Sequence, residues 1–345
     1  MSASDTVTPA SHRRREFVLI LCIALVGASL FSHLTIRWLK IRSSAGSYST
    51  YGAPGRNASA MLYGSSLAYS GVDWHKVSDA LGERIGRWAV GGSTPSEWEQ
   101  FQLRSDRAVR SFVVISAADL NEYALCDVRA AIVPLTQTVS DLWQVGADRQ
   151  HWKRVLSQYP INAVRTFFPT VGRSDGVMTG IRDELGRIMR RSSAGDGPEA
   201  VGFGPEGDLA LPERVTDWSP GRFQRRMVVE RAACQGKHPF GGIKKAALVR
   251  LLQRAHRQGT VIGIVVPLSP FYQKEFLTPE VRRDFEMELA SLQTAFPQTK
   301  WIRLDQLPAL QDNTLFADFV HLNRDGQRIA TRAFLNELVI EPKRP

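Results

Sequence analysis

The chain has 345 residues, 43% of them hydrophobic and 23% charged, and an excess of lysine and arginine gives it a formal net charge of +10. This composition excludes a disordered chain and is enough for one large domain with insertions or for two smaller domains. The positive balance fits an anionic partner, whether acidic polysaccharide, lipid headgroup or nucleic acid, without choosing among them.

The first element is an apolar run, FVLILCIALVGASLFSHLTI, from Phe17 to Ile36, with no formal charge. About twenty such residues span a bilayer. Residues 1–16 then read as a cytoplasmic tail, 17–36 as a transmembrane anchor and 37–57 as a linker rich in Ser, Gly and Tyr. Arg13, Arg14 and Arg15 precede the run, and Arg37, Lys40 and Arg42 follow it, so flanking charge does not set the orientation. A cleaved signal ending near Val26-Gly27-Ala28 is the competing reading, but the apolar character continues past that point.

Beyond the linker, the pattern predicts a strand over Ala58–Tyr63, a Gly64-Ser65-Ser66 turn and a short helix beginning near Asp73. A second strand is expected at Arg87–Val90. It is followed by a helix opened by Thr94-Pro95, with a capping hydroxyl before a proline at the first helical position. The third strand, Ser111–Ile115, runs into SAADLNEY. Residues 127–240 then interrupt the alternation as an insertion or lid, with helical character over His151–Phe168 and a Gly-rich part at Arg190–Asp208. A basic amphipathic helix follows over Ile243–Gln258, then a fourth strand over Val261–Val266. A helix opens at Thr278-Pro279-Glu280, a fifth strand covers Lys300–Leu304 and a last helix Arg324–Leu338. Strands alternating with helices imply an α/β fold, a parallel sheet flanked by helices on both faces.

Two stretches carry chemistry. Gly64-Ser65-Ser66 sits at the end of the first strand, and Asp318 and His321 lie three residues apart in FADFVHLNRDGQ, between the last strand and the last helix. In a parallel sheet the strand ends face one crevice, so these stretches can meet there. A serine hydroxyl needs a base to become a nucleophile, and the imidazole needs a carboxylate to fix its tautomer. Ser66, His321 and Asp318 supply those three groups. Taken alone, the first stretch reads as an ordinary turn, and Asn323 competes with Asp318 as the helix cap.

With these residues, the chain resembles the SGNH/GDSL hydrolase superfamily. The likeness lies in four blocks: Gly64-Ser65-Ser66, Gly92 in VGGST, SAADLNEY, and DFVHLN followed by Gly326. The order of these blocks matches the family's across the whole of residues 58–338. The resemblance implies a three-layer, flavodoxin-like sandwich over residues 58–345. It makes Ser66 the nucleophile and His321 the base oriented by Asp318. Its oxyanion hole would use the backbone N–H groups of Ser66 and Gly92 and a side-chain amide from the third block. The usual Gly-x-Asn-Asp is absent there. Aligning Asp119 with the final Asp leaves Ala118 at the amide position, and Asn121 is the nearest substitute. Ser65 replaces the usual Asp of the first block, which together with the anchor looks like envelope-associated relatives of the DltD and polysaccharide O-acyl-transfer type.

The remaining features compete poorly or stay open. Among the histidines, His75 is the nearest rival to His321 but reads as a partly exposed helix residue. His256 lies in a basic helix, and His151 and His238 lie in the insertion. PLSPFYQ, Pro267–Gln273, follows the fourth strand and either lines the pocket or forms a plain turn. Arg222, Arg225, Arg226 and Arg231 either contact an acidic glycan or form a solvated face. Cys126 and Cys234 either pair or stay as buried thiols, and no spacing suggests a metal site or a cofactor.

The expectation is a membrane-anchored acyltransferase or esterase facing an extracytoplasmic space such as the periplasm. It would act on an acyl group, an acetyl by preference, of a cell-envelope polysaccharide or other anionic polymer, with no nucleic-acid partner and possible contacts with other envelope-modification proteins. The alternative is a noncatalytic scaffold or glycan-binding subunit with the same fold.

Overall fold

The computed structural model of the chain describes residues 9–38, 58–89, 92–104, 109–122, 132–168, 170, 227 and 239–339. The readings made for the linker from residue 39 onward, for residues 171–226, for Cys126, Cys234 and His238, and for Arg231 lie outside them. The chain divides into two units, Met1–Ser47 with Ser157–Gly197, and Tyr48–Leu156 with Pro198–Pro345.

The first unit contains α1, Pro9–Trp38. Its stretch Glu16–Thr35 is long and apolar enough to cross a membrane. Four consecutive residues, Phe17, Val18, Leu19 and Ile20, are all exposed, so the helix is apolar all round instead of carrying one buried stripe. A cleaved signal sequence would have the same character.

The second unit holds the sheet. In chain order it comprises β1 (Ala60–Gly64), α2 (Ser66–Gly71), α3 (Trp74–Leu81), β2 (Ile85–Ala89), α4 (Pro95–Arg104), β3 (Arg110–Ile115) and α5 (Ala117–Leu120). Next come α6 (Leu135–Gln144) and α7 (Arg149–Leu156), whereas α8 (Gln158–Phe167) belongs to the first unit. The second unit continues with α9 (Ile243–Gln258), β4 (Thr260–Val265), α10 (Pro270–Phe276), α11 (Pro279–Ala295), β5 (Lys300–Arg303) and α12 (Arg324–Val339).

The five strands form one parallel sheet in the order β2-β1-β3-β4-β5. Every residue of β1 is buried, as are the last five of β3 and of β4, which explains their continuous apolar runs. The chain moves one way from β1 to β2 and the other way from β3 to β5. Right-handed crossovers therefore place α3 on one face and α4, α9 and α11 on the other. Side chains on β2 report both layers: Arg87 Nη2 lies 3.4 Å from His75 Nδ1 on α3, while the next residue, Trp88, stacks on Phe101 of α4 at 4.7 Å. Phe112 of β3 packs between Trp74 of α3 and Phe334 of α12, at ring separations of 5.1 and 6.1 Å, so α12 returns to the α3 face. On the opposite face α4, α6 and α9 are joined by Arg250, whose Nε and Nη2 donate to both oxygens of buried Glu99 at 2.8 Å; Nη2 also donates to Asp141 at 3.0 Å.

Local capping sets the helix starts. Asp73 Oδ1 accepts from His75 N and Lys76 N, and Thr94 N donates to Glu97 Oε2 at 2.7 Å in a capping box. Ser269 and Thr278 cap α10 and α11, each with a proline next in the chain. The helical character expected over His151–Phe168 falls on α7, which ends at Leu156, and α8, which begins at Gln158. The Gly-Ser-Ser turn leads straight into α2, a helix that the pattern did not signal because it is only six residues long and ends one residue short of the next cap at Asp73.

Candidate active site

The order 2-1-3-4-5 has its switch point between β1 and β3, where chain direction reverses and a crevice opens beyond the strand ends. Ser66 occupies that point as the first residue of α2. Ser65 caps the helix, its hydroxyl accepting from Leu67 N at 3.2 Å. Gly64 allows the helix to fold tightly over the strand end, because a Cβ there would lie 2.6 Å from Ala68 Cβ and 3.3 Å from Val114 O.

The second part comes from the loop before α12. Phe316 and Leu322 form an antiparallel bridge, and Ala317 N donates to His321 O at 2.8 Å, so the segment between them folds back as a tight loop. Asn323 caps α12, accepting from Gly326 N at 3.0 Å, while its Nδ2 donates to Thr314 O at 2.7 Å. Gly326 is needed there because a side chain would run into the carbonyl of Leu315. With Asn323 as the cap, Asp318 is left to organise the loop: its Oδ1 accepts from Val320 N and His321 N, each at 2.9 Å.

The structure brings three of the expected residues into one hydrogen-bonded chain. His321 Nδ1 lies 2.8 Å from Asp318 Oδ2 and 3.0 Å from Oδ1, and His321 Nε2 lies 2.8 Å from Ser66 Oγ. An ionised carboxylate only accepts, so Nδ1 carries the proton and Nε2 is left to accept from the serine hydroxyl. Partial burial pushes the Asp318 carboxyl upward. The hydrogen bond and charge of His321, with the two backbone N–H groups, outweigh that and bring it down to about 2.

Gly92 is exposed and has φ +71°. The adjacent Ser93 pins its loop to the Gly64-Ser65-Ser66 turn, with Oγ donating to Gly64 O at 3.0 Å and accepting from Trp98 Nε1 at 2.8 Å. In the third block, Ser116 caps α5 and donates to Asp119 Oδ2 at 2.9 Å. Asp119 is buried, and burial raises its carboxyl above the usual range despite hydrogen bonds from Ser65 and Ser116 and the charge of Lys244. The Ser65 slot, where the resemblance leads one to expect a carboxylate, thus hydrogen-bonds a carboxylate supplied by the neighbouring strand end. Asn121 closes α5: its N–H donates to Ala117 O at 3.1 Å, its carbonyl accepts from Lys244 Nζ, and none of it is exposed. Ala118, at the amide position, is partly buried.

Two supporting contacts were not legible as such. Ser93 carried no signal beyond adjacency to Gly92. PLSPFYQ reads from sequence as either pocket lining or a plain turn, and in the structure Ser269 N donates to Phe319 O at 3.1 Å while Phe271 stacks on Phe319 at 5.2 Å. The segment therefore braces the loop that carries Asp318 and His321. It also lines a cavity of about 440 Å3, where Leu268 and Gln273 face Ala117, Val265, Val266 and Phe285. Of the other histidines, His256 bonds Thr299 at 2.7 Å and stacks on Phe296, and burial lowers its pKa. His151 is buried on α7. Among the described residues, no group of three or more His, Cys, Asp and Glu is arranged to hold a metal.

No family model matches the chain, and no curated protein matches it. Solved structures do. One is a catalytic mutant of an acetylxylan esterase from Geobacillus stearothermophilus, at 12% identity and TM-score 0.39, covering 84% of this chain and 97% of that one. Another is a chain provisionally named a platelet activating factor from Streptococcus pneumonia, at 9% identity and TM-score 0.38, covering 90% of this chain and 98% of that one. Likeness at this level carries no information about reaction or substrate, which rest on this chain's own residues.

Proposed function

We propose that this protein is a membrane-anchored, SGNH-like serine acyltransferase or esterase, with Ser66 as nucleophile and its second unit outside the cytoplasm. The observation that carries the reading is the continuous hydrogen-bonded path Asp318–His321–Ser66 at the switch point of the sheet. A structural serine has no need of an imidazole that is itself oriented by a carboxylate.

In this reading the Ser66 oxygen bonds to the acyl carbonyl carbon while His321 Nε2 takes the hydroxyl proton. Asp318 stabilises the imidazolium and stays ionised. The negative oxygen of the tetrahedral intermediate is met by the N–H groups of Ser66 and Gly92 and by the amide of Asn121. Collapse breaks the bond to the alcohol oxygen, which receives the proton from His321. Water or an acceptor hydroxyl then attacks the acyl-Ser66 carbonyl, His321 takes its proton and returns it to Ser66 Oγ. Water as attacker makes an esterase, and a sugar hydroxyl makes a transferase. An O-acetyl group on a cell-envelope polysaccharide is the substrate that this reading favours.

A second reading, a noncatalytic glycan-binding scaffold, is favoured by one observation: Asn121 is completely buried and Ala118 stands at the amide position. Labelling of the full-length protein in non-ionic detergent with a fluorophosphonate probe separates the two. The enzyme reading expects labelling of the wild type and none of Ser66→Ala, with strong reduction in His321→Ala. Equal labelling of all three removes Ser66 as the nucleophile.

A further inference from the structure

A groove of about 330 Å3 opens between α3 and α12, distinct from the cavity under PLSPFYQ. Its lining includes Tyr69, three residues beyond Ser66 on α2, and Arg324, three residues beyond His321. Lys76, Arg324 and Arg328 bring three permanent positive charges to its lining, with His75 beside them, against the carboxylate of Asp73 in the lining and that of Asp325 at the rim. The Asp73 carboxylate is already engaged: Oδ1 caps α3, and Oδ2 lies 3.8 Å from Lys76 Nζ. Arg328 is held at the rim by Asp325, at 3.0 Å, with both side chains more than half exposed. Gln327 Nε2 donates to Tyr69 O at 2.6 Å and ties the groove to the helix that bears Ser66.

The placement of these cations runs against local helix preference. Lys76 is the third residue of α3 and Arg324 the first of α12, in first turns where the helix macrodipole favours acids; Arg328, the fifth of α12, lies just past that turn, which also holds Asp325. The first turn of α3 contains no acid at all. Both helix N-termini are already capped, by Asp73 and Asn323, so an anion drawn to the groove would be drawn by side chains.

We propose that this groove binds a carboxylate or phosphate group of the same polymer that carries the ester, holding the chain alongside Ser66. The volume is at the low end of about 300–1,000 Å3 for ligand sites, which suits a short segment of chain. The guanidinium groups of Arg324 and Arg328 suit planar, two-pronged contact with an oxyanion, and Lys76 adds a point charge. This inference rests on the acyl-transfer reading for what the anion belongs to, but binding can be measured without turnover.

The experiment uses the full-length Ser66→Ala protein in non-ionic detergent, with hexagalacturonate as the carboxylate probe, short linear polyphosphate as the phosphate probe and xylohexaose as the neutral control. Binding of either acidic probe, weakened at least about tenfold by Lys76→Ala/Arg328→Ala and by raising salt from about 0.05 to about 0.5 M, supports the groove. Which probe binds identifies the source of the oxyanion. Arg328→Lys should bind more weakly than the parent protein but more tightly than Arg328→Ala, which separates loss of charge from loss of fold. Binding of neither acidic probe, equal binding of the neutral one, or affinity unchanged in the double variant overturns the proposal. Absence of fluorophosphonate labelling in the wild type would instead count against the nucleophile and leave the binding result readable.

Discussion

The hydroxyl of Ser93 donates to the carbonyl of Gly64 at 3.0 Å and so ties the loop bearing Gly92 to the strand end that precedes Ser66. The same oxygen accepts from Trp98 Nε1, and Trp98 is completely buried. In Ser93→Ala the indole N–H loses this acceptor, which costs about 1–3 kcal/mol of stability. Under the proposed acyl-transfer reading, ester hydrolysis should fall roughly 10–100-fold, mainly in kcat, because the Gly92 loop drifts from Ser66. Thermal melting and nitrophenyl ester kinetics check both effects, and Ser93→Thr should restore much of each.

Asp318→Asn keeps the loop's shape but replaces an acceptor-only group with one that cannot hold the same imidazole tautomer. Under the proposed reading, activity should drop by about 10⁴, as it does when the acid of a Ser-His-Asp triad is so changed. The folded-state carboxyl sits at about 2, below the ordinary aspartate value of about 3.9. Its contribution to stability is therefore present above pH ~4 and is lost as pH falls through about 2. Urea unfolding across that window should show the gap between wild type and Asp318→Asn narrowing toward acid. Half of the side chain is solvent-exposed, so the gap should be modest.

Ser65 and Asp119 should behave as a coupled pair. Ser65→Asp, which installs the acid usual in the resembling family, sets a second carboxylate beside a buried one and should destabilise by about 2 kcal/mol or more. Adding Asp119→Asn should recover much of that loss, with a coupling energy of about 1–3 kcal/mol in a double-mutant cycle.

Asp119 alone has the opposite pH signature to Asp318. Burial raises its folded-state carboxyl above the unfolded value, so the fold holds that proton more tightly. Its favourable contribution is full below pH ~4 and declines as pH rises through the raised value. Relative to Asp119→Asn, the wild type should lose stability over that rise; a parallel pair of pH–stability curves would contradict it.

Gly64→Ala tests how tightly α2 seats on the sheet. The added methyl would lie 2.6 Å from Ala68 Cβ, and relief requires moving the helix that begins at Ser66. A cost of about 1–3 kcal/mol is expected, with fluorophosphonate labelling slowed more than the loss of folded protein explains.

What was legible from the sequence was local. The caps at Asp73, Thr94 and Thr278, the bounds of α9, and the apolar span of α1 each depend on residues within a few positions of one another, where hydrogen bonding and periodicity act directly. The residue types for a serine, an imidazole and a carboxylate were visible as well, but only as two stretches far apart in the chain. The tertiary structure decided that they meet. The 2-1-3-4-5 order and right-handed crossovers carry His321 back over 255 residues to within 2.8 Å of Ser66. It also decided which of Asp318 and Asn323 caps α12, that Ser65 faces a buried carboxylate, and that three cations gather at one groove. Those relations depend on which elements become neighbours, and packing across the sheet settles that.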